Sequence, residues 1–328
     1  MKLKTLLTAG LWLGGAVAQQ RSEEDPFTRV ESGPHRVEKP YLDKYFQNRY
    51  YDYGGSTFIK SDSFIRLTSD VSDQRGWLVS KLPSLPESFQ IEFDFQIHGQ
   101  GNTIYGDGMA FWIFNERNTE EGPVFGLKDY FKGIGILFDT YKNDGPGKVF
   151  PYVMLMEGDG QTTYDKDHDG AANEIVACSA RGLHNARQVS KARLTYSKDQ
   201  FLSLELDYKG RNKWEKCFET SQVQIKRPAF LGFSAQTGEL SENHDLYEVR
   251  VYSLKNPPIS YGEVDYYQNG NKNADIRRPT DGSKASSSGS WAMFSLKFVM
   301  FIFVAVGVYF ATATYRAHAR KKQEQYYL

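Results

Sequence analysis

Two loop motifs carry side-chain oxygens from which a metal site could be built. The first is Asp139-Thr-Tyr-Lys-Asn143, which directly follows the apolar residues 133–138. Asp139 and Asn143 each offer a side-chain oxygen and Tyr141 offers its carbonyl oxygen, and calcium prefers such hard oxygen ligands. Because Asp and Asn are also common in ordinary turns, the motif taken alone favours a turn that binds no metal.

The second motif is Asp165-Lys-Asp-His-Asp-Gly170, which begins like the calcium loop of an EF-hand. An EF-hand needs a bidentate Glu at its twelfth position, where this chain has Val176. No flanking helices are evident either, so we exclude an EF-hand. One carboxylate of this motif could still join the first cluster, and the alternative is a solvated acidic turn.

Two further motifs could bind ligand hydroxyl groups. In Gly106-Asp107-Gly108 a carboxylate lies between glycines at the start of an apolar strand, where it can accept hydrogen bonds. In Thr237-Gly-Glu-Leu240 a glycine-containing loop follows a strand, and its backbone amides could donate to a sugar. The alternatives are a tight turn for the first motif and an ordinary strand connection for the second.

These motifs lie between segments that have the pattern of β-strands. Apolar and polar residues alternate with period two in residues 88–97, 202–208 and 247–252, which predicts half-buried strands. Residues 108–114 and 133–138 are more uniformly apolar, which is typical of buried central strands. No long amphipathic helix is evident. The sequence therefore predicts one large all-β domain, an antiparallel β-sandwich.

Composition and charge exclude other classes of protein. The chain has 328 residues, and its 40 Lys and Arg balance its 40 Asp and Glu. Binding to nucleic-acid phosphates requires a basic excess or a basic face, so we expect no nucleic-acid partner. A β-sandwich glucanase would need the carboxylate pattern E-x-D-x-x-E. The nearest match starts at Glu92 and Asp94, but its third position is Ile97, so we expect a solvated strand face and no enzyme.

The two ends of the chain predict a membrane protein. Residues 1–18 have the basic start, apolar stretch and small-residue cleavage pattern of a signal peptide. Residues 293–314 are long and apolar enough for a single transmembrane helix, and the basic residues after them predict a cytosolic tail at 315–328. An N-terminal segment at 19–37 and a flexible linker at 256–292 complete the chain. We expect a single-pass type I topology.

The chain has two cysteines, Cys178 and Cys217, and both fall in the predicted luminal part. An oxidising lumen favours a disulfide between them. In the chain-entropy model a bond closing a loop of this length stabilises the fold by roughly 4 kcal/mol. The alternative is two buried free thiols.

In this order, the motifs resemble the L-type, legume-like lectins of the early secretory pathway, in particular vesicular integral-membrane lectins and ER–Golgi intermediate-compartment mannose lectins. The resemblance covers residues 38–255 and extends to the topology. The matching motifs are Lys39-Pro-Tyr41, Gly54-Gly-Ser-Thr57, Gly106-Asp-Gly108, Gly122-Pro-Val-Phe-Gly126, Phe138-Asp-Thr-Tyr141, Tyr164-Asp165, Asp169-Gly170, Thr237-Gly238 and Asn243-His-Asp245. This resemblance implies a concanavalin-like jelly roll. It also implies that the two cysteines lie at the position of the family's disulfide.

The resemblance also implies roles for individual residues. The residues implied to bind Ca2+ are Asp139, Asn143, Asp169 and, through its carbonyl oxygen, Tyr141. The residues implied to hold mannose are Asp107, Asn143, Gly238, Glu239, Leu240 and, through its ring, Tyr141. Calcium would order the loop so that the Asn143 amide can face the sugar.

Two positions depart from the family pattern. The sugar-contacting His that follows Tyr-Asp in the family is Lys166 here, and a sugar-contacting Ser is Asp73. These two opposite charges could pair, and we expect mannose binding weaker than in relatives with the His. A trafficking scaffold or co-receptor with weak or lost sugar binding is therefore the alternative to a lectin.

The resemblance implies a cargo receptor that carries high-mannose glycoproteins between the endoplasmic reticulum and the Golgi apparatus. It would be found in the membranes of both compartments and of the intermediate between them. The terminal Tyr326-Tyr327-Leu328 resembles ER-exit signals that vesicle-coat proteins read. The alternative is a plain stop-transfer tail.

Overall fold

The computed structural model describes residues 28–143 and 147–274. The predicted signal peptide at 1–18, transmembrane helix at 293–314 and tail at 315–328 lie outside the described residues. Within the described ranges, no helix has both the length and the apolar character needed to cross a membrane.

The described part of the chain consists mostly of short strands. In the first half these are β1 Thr28–Glu31, β2 Tyr51–Gly55, β3 Phe58–Lys60, β4 Phe64–Thr68, β5 Arg75–Ser80, β6 Phe89–His98, β7 Gly108–Phe114, β8 Glu121–Gly122 and β9 Gly126–Leu127. In the second half they are β10 Lys132–Asp139, β11 Tyr152–Asp159, β12 Val176–Ser179, β13 Ser190–Ser197, β14 Phe201–Asp207, β15 Glu215–Thr220, β16 Phe230–Gln236 and β17 Asn243–Lys255. A 3₁₀ turn at Lys166–His168 and a helix, α1, at Tyr261–Asn269 complete the list.

The strands form two large sheets packed face to face. The first has the order β15-β14-β13-β6-β17-β4-β3, with β1 added against β17, and the second has the order β12-β11-β10-β7-β16-β5-β2. The strands pair antiparallel in both sheets, and β8 and β9 form a separate small hairpin. The predicted all-β antiparallel sandwich is confirmed.

The core between the sheets is rich in aromatic side chains. On β6, Phe93 and Phe95 point inward and are at most 1% exposed. The ring of Phe93 lies 5.2 Å from the rings of both Phe111 and Phe233 on the opposite sheet. Burial of each such side chain stabilises the fold by on the order of 1.5–3 kcal/mol. Because the apolar residues of β6 alternate with polar ones, this burial determines which face of the strand points to the core.

The residues between the core positions of β6 face outward. Glu92 and Asp94 are both partly exposed, and Glu92 accepts a hydrogen bond from the guanidinium of Arg29 at 2.9 Å. This is the solvated strand face that the sequence predicts for the two carboxylates.

The central strands of the seven-stranded sheet are buried on both faces. Its outer face is covered by the segment around Phe125 and Phe131, which packs over Trp112. The Trp112 and Phe131 rings lie 4.8 Å apart, and the indole N–H of Trp112 donates to Ser234 Oγ at 2.8 Å. This cover explains why β7 and β10 are apolar at nearly every position.

The predicted linker at 256–292 differs from the structure in its first part, where α1 packs on the eight-stranded sheet. Tyr261 and Val264 join a small apolar cluster with Phe201 and Leu254. The lectin-like domain therefore extends beyond residue 255. It also extends toward the N-terminus, because β1 pairs with the end of β17.

The disulfide between Cys178 and Cys217 is confirmed. Cys178 lies on β12 and Cys217 on β15, at the edges of the two different sheets, with 5.3 Å between their Cα atoms. The bond therefore joins the two layers of the sandwich directly.

Candidate functional site

Three of the predicted motifs meet at one edge of the seven-stranded sheet. Gly108, at the start of β7, is paired with Asp139 at the end of β10 and with Gln236 at the end of β16. The loops that continue from these strands hold one another through their backbones. The Asp107 N–H donates to the Gln236 carbonyl at 3.1 Å, and the Thr140 N–H donates to the Asp107 carbonyl at 3.0 Å.

A small pocket opens at this edge and contains four of the predicted site residues. Its lining consists of Asp107, Asp139, Asn143, Lys166, Pro123, Phe125, Tyr164 and Gln236. The apolar members come from the cover of the seven-stranded sheet, and the polar members come from separate loops. The fold thus brings together side chains that are up to about 130 residues apart in sequence.

Asp139 and Asp169 form the buried acidic part of the site. They are 5% and 2% exposed, respectively. Burial raises the pKa of Asp139 well above its ordinary value, and the charge of Asp169 raises it further. Two buried carboxylates close together are costly unless a cation or hydrogen bonds compensate them, so this pair is suited to a bound cation.

Backbone hydrogen bonds hold the first loop motif onto these carboxylates. The Tyr141 N–H donates to Asp139 Oδ1 at 3.1 Å, and the Asn143 N–H donates to Asp169 Oδ1 at 2.8 Å. Lys148 Nζ donates to the Asp169 carbonyl at 2.9 Å. The two loops that carry the predicted calcium ligands are therefore adjacent.

The donor set suits a hard cation. Within the described ranges, no three His, Cys, Asp or Glu side chains are grouped as metal ligands. A calcium ion held here would therefore need neutral oxygens from Tyr141 and Asn143 besides the two carboxylates. Both residues are exposed, and calcium accepts such mixed oxygen sets. The residues present fit the ion that the sequence predicts.

Asp107 presents a half-buried carboxylate to the pocket. The Gln236 side-chain amide donates to its Oδ2 at 3.1 Å. Burial raises the pKa of Asp107, although Lys166 and Gln236 act in the opposite direction. A Cβ at Gly238 would lie 3.1 Å from Asp107 Oδ1, so glycine lets the 237–240 loop approach this carboxylate closely.

The suggested pairing of Asp73 with Lys166 is not what the structure has. Lys166 Nζ lies 3.9 Å from Asp107 Oδ2 instead. Asp107 and Lys166 line the same pocket, whereas Asp73 is exposed and does not line it. The Asp73 N–H donates to the Gly238 carbonyl at 3.0 Å. Asp73 therefore acts on the neighbouring loop through its backbone.

Gln236 and Phe125 belong to the pocket but have no predicted role from the sequence. Gln236 is the last residue of β16 and directly precedes Thr237-Gly238. A polar residue at a strand end beside a glycine loop is a signal that could have indicated it. Phe125 lies in a matched motif, but its contact with the pocket depends on the fold of the covering segment.

A larger groove of about 1060 Å³ lies elsewhere, between α1 and β15. Its lining includes Trp214, Lys216 and Tyr261, and it contains none of the predicted site residues. The polar chemistry of the sequence motifs is concentrated at the smaller pocket.

Comparison with known proteins agrees with this geometry. The sequence profile of the legume-like lectin family matches residues 30–260. The chain belongs to this family. An L-type lectin-like domain-containing protein of Schizosaccharomyces pombe is 41% identical over 214 residues, which are 65% of this chain and 68% of that protein.

A vesicular integral-membrane protein is also similar to this member of the legume-like lectin family. The vesicular integral-membrane protein VIP36 of Homo sapiens is 34% identical over 206 residues, which are 62% of this chain and 57% of VIP36. The crystal structure of the VIP36 exoplasmic/lumenal domain in its Ca2+/Man3GlcNAc-bound form matches with a TM-score of 0.64 and 32% identity, over 69% of this chain and 91% of that chain. The chain thus spans little more than half the length of human VIP36.

Proposed function

We propose that this legume-like lectin domain binds mannose-type glycans with the help of calcium. The observation that carries the proposal is the convergence of Asp107, Asp139 and Asn143 on one pocket. Support comes from the similar VIP36 domain, whose structure is a complex with Ca2+ and Man3GlcNAc. In this chain, Asp139 and Asp169 with the Tyr141 carbonyl and Asn143 would hold the ion.

Calcium, when bound, neutralises the two buried carboxylates and keeps their loops together. The sugar contacts come from the chain itself. The Asp107 carboxylate accepts hydrogen bonds from sugar hydroxyls, and the Asn143 side-chain amide donates to them. The ring of Tyr141, which is 37% exposed, packs against the sugar face.

The glycine loop completes the contacts through its backbone. The Gly238 N–H already donates to the Leu240 carbonyl at 3.1 Å, so this amide holds the loop in shape. The donor role toward the sugar then belongs to the N–H groups of Glu239 and Leu240. The family resemblance implies sugar contacts for Gly238, Glu239 and Leu240, whereas we propose that only Glu239 and Leu240 donate to the sugar.

We further propose that the domain is the luminal part of a type I cargo receptor of the early secretory pathway. The signal peptide at 1–18, the span at 293–314 and the tail at 315–328 are proposed from sequence alone. High-mannose glycoproteins would be its cargo, and Tyr326-Tyr327-Leu328 would contact vesicle-coat proteins. The similarity to a vesicular integral-membrane protein supports this assignment.

A scaffold or co-receptor with weak sugar binding is the second candidate, and one observation favours it. Lys166 Nζ lies 3.9 Å from the carboxylate that would accept the sugar hydroxyls. A cation at this position competes with a ligand for Asp107 and repels calcium. The two candidates predict different affinities for mannose and the same fold.

Titration calorimetry of residues 28–274 with α-mannobiose, with and without calcium, distinguishes these functions. We expect binding that needs calcium and that Asp139→Asn abolishes, while Asp62→Asn, an exposed Asp, leaves it unchanged. Calcium at a hundred times its Kd should also stabilise the fold by about 2.7 kcal/mol, measured as a rise in Tm. Absence of mannobiose binding at saturating calcium would favour the scaffold.

A further inference from the structure

A cluster of buried polar side chains lies close enough to Asp107 to influence its carboxylate, and it is outside the proposed ligand set. Its centre is Glu242, which is 0% exposed, as is His244, while His184 is 8% exposed. A buried carboxylate costs stability unless it is well satisfied by hydrogen bonds. The Glu242 carboxylate therefore needs hydrogen-bond partners that offset the cost of its burial.

Glu242 accepts hydrogen bonds from three side chains. His184 Nδ1 lies 2.7 Å from its Oε2, and His244 Nε2 lies 3.2 Å from its Oε1. The Thr140 hydroxyl also donates to Oε1. Burial acts to raise the pKa of Glu242, but these hydrogen bonds together with the electrostatic attraction of His244 outweigh it and lower the pKa to about 2. The carboxylate therefore stays ionised at neutral pH.

His184 is held between two acceptors. Its Nδ1 faces the Glu242 carboxylate, and its Nε2 lies 2.8 Å from the Gly101 carbonyl oxygen. Because a neutral imidazole has one donor nitrogen and one acceptor nitrogen, only the imidazolium satisfies both contacts beside an ionised Glu242. The Tyr105 ring stacks on the His184 ring with centroids 3.5 Å apart and planes within 3°.

His244 contacts the cluster through both of its ring nitrogens. The Thr68 hydroxyl lies 2.6 Å from His244 Nδ1. The same hydroxyl donates to the Glu242 carbonyl oxygen at 3.5 Å, so Thr68 contacts both His244 and the backbone of Glu242. His184 and Glu242 therefore form an ion pair, and His244 and Thr140 are further donors to the same carboxylate.

Each partner of Glu242 leads to a different loop of the proposed sugar site. Thr140 lies in the loop that begins with Asp139. His184 holds Gly101 and Tyr105, which precede Asp107 on the β6–β7 connection. His244 reaches Thr68, after which the chain continues to Asp73. Glu242 itself lies two residues after Leu240.

We infer that Glu242 and His184 are positioning residues that set the spacing of the sugar-binding loops. The inference rests on the proposed function, because it concerns the affinity of the same site for mannose. Neither residue touches the sugar. They act by tying four loop segments to one carboxylate, so a change in either should affect sugar affinity through loop geometry.

The test compares variants in mannobiose affinity at saturating calcium. Glu242→Gln keeps the shape and removes the charge, and His184→Leu removes both donors. We expect each to weaken binding by about tenfold or more. His184→Arg keeps a buried cation with several donors, and we expect it to restore affinity to within about threefold of wild type.

Glu205→Gln is the matched control. Glu205 is also 0% exposed and is paired with buried Arg193 at 2.7 Å, but it lies on β14. This variant should lose stability and keep its mannobiose affinity. Equal losses of affinity in Glu205→Gln and Glu242→Gln would overturn the positioning role, as would a Glu242→Gln protein that binds like wild type.

Amide hydrogen exchange separates failure of this inference from failure of the proposed function. Measured without sugar, exchange in residues 101–107 and 237–242 should be faster in Glu242→Gln by about tenfold or more. If the wild-type protein binds no mannobiose, the proposed lectin function is wrong. The hydrogen-exchange rates alone then test whether Glu242 positions the loops. Faster exchange in these two segments then supports loop positioning, and unchanged exchange overturns it.

Discussion

If the pocket binds sugar as proposed, the ammonium group of Lys166 competes with the sugar hydroxyls for the Asp107 carboxylate. Its Nζ lies 3.9 Å from Asp107 Oδ2, and the Lys166 side chain is 49% exposed. A partly exposed ion pair of this kind stabilises the protein by at most about 1 kcal/mol, so a ligand can displace the ammonium group from Asp107. The cost of displacing it would still lower the affinity of the proposed site for sugar.

Replacement of this lysine by histidine should strengthen mannose binding. In Lys166→His the permanent charge near the proposed calcium site disappears, and Asp107 becomes free to accept from the sugar. We expect a several-fold lower Kd, corresponding to about 1 kcal/mol, and a pH dependence near about 6–7, where His titrates. Calorimetry with α-mannobiose between pH 5.5 and 8 measures both effects.

Lys128→His is the matched control, because Lys128 is exposed and paired with Glu120 away from the pocket. Its affinity for mannobiose should not change. A Lys166→His protein that binds no more tightly than wild type contradicts the competition between lysine and ligand.

The sequence predicted polar residues that line the pocket, but it did not predict the partner of Lys166. Asp107, Asp139 and Asn143 follow or precede apolar strands, and strand ends meet at sheet edges, so their convergence can be anticipated. The choice between Asp73 and Asp107 depends on how three loops pack. Alternation patterns contain no information about contacts between loops.

At the level of secondary structure, β14 is buried more completely than its sequence indicates. Residues 202–208 alternate, which predicts an exposed face, yet Ser203 and Glu205 are 0% exposed. The reason is α1, which covers this face. With only Tyr261 and Val264 as buried apolar residues, α1 has too small an apolar stripe to give a helical signal in the sequence.

Helix α1 also supplies the hydrogen bonds that Glu205 needs. Asn269 Nδ2 donates to Glu205 Oε1 at 2.6 Å, and Arg193 donates to Asn269 Oδ1 at 2.6 Å. We expect Asn269→Ala to lower the free energy of unfolding by about 1–3 kcal/mol, because it leaves buried groups without partners. Urea denaturation of residues 28–274 measures this change.

Tyr267 lies on the same helix and is 48% exposed, so Tyr267→Ala is the control. Its free energy of unfolding should change by less than about 0.5 kcal/mol. Equal effects of the two substitutions would mean that α1 stabilises the sheet through apolar packing, and the Asn269 hydrogen bonds would then be dispensable.

For the whole domain, the segment before residue 38 ties the two sheets together. β1 pairs with β17 of the eight-stranded sheet. His35 accepts at its backbone carbonyl from the Tyr51 hydroxyl, on the other sheet, at 2.8 Å. Its ring Nε2 accepts from the Ser84 N–H at 3.2 Å. That hydrogen bond requires a neutral imidazole.

Acid should therefore destabilise the domain through His35. Burial lowers the pKa of His35 from 6.5 to about 4. Above pH 6.5 the ring is neutral in both states, whereas between pH 6.5 and 4 the unfolded state binds the proton and the folded state does not. Stability is thus lost as the pH falls, by about 2 kcal/mol at pH 5 from this group alone.

Urea denaturation at pH 7 and pH 5 measures this loss. His35→Gln cannot titrate, and its amide oxygen can still accept from Ser84. We expect this variant to lose about 2 kcal/mol less than wild type between the two pH values. An identical loss in both proteins would assign the acid sensitivity to other groups.

The position of β17 in the middle of its sheet dictates the order in which a newly made chain can fold. β6 and β4 are synthesised early, but they pair with β17, and β1 pairs with the last residues of that same strand. Until β17 has been added, β6 can pair only with β13 and β4 only with β3, and β1 has no partner strand. Such non-local pairing makes folding slow, and one side of the apolar strand β6 stays without its partner until the end of the domain has been made. A molecular chaperone that binds extended apolar segments has a long interval in which to act on this domain.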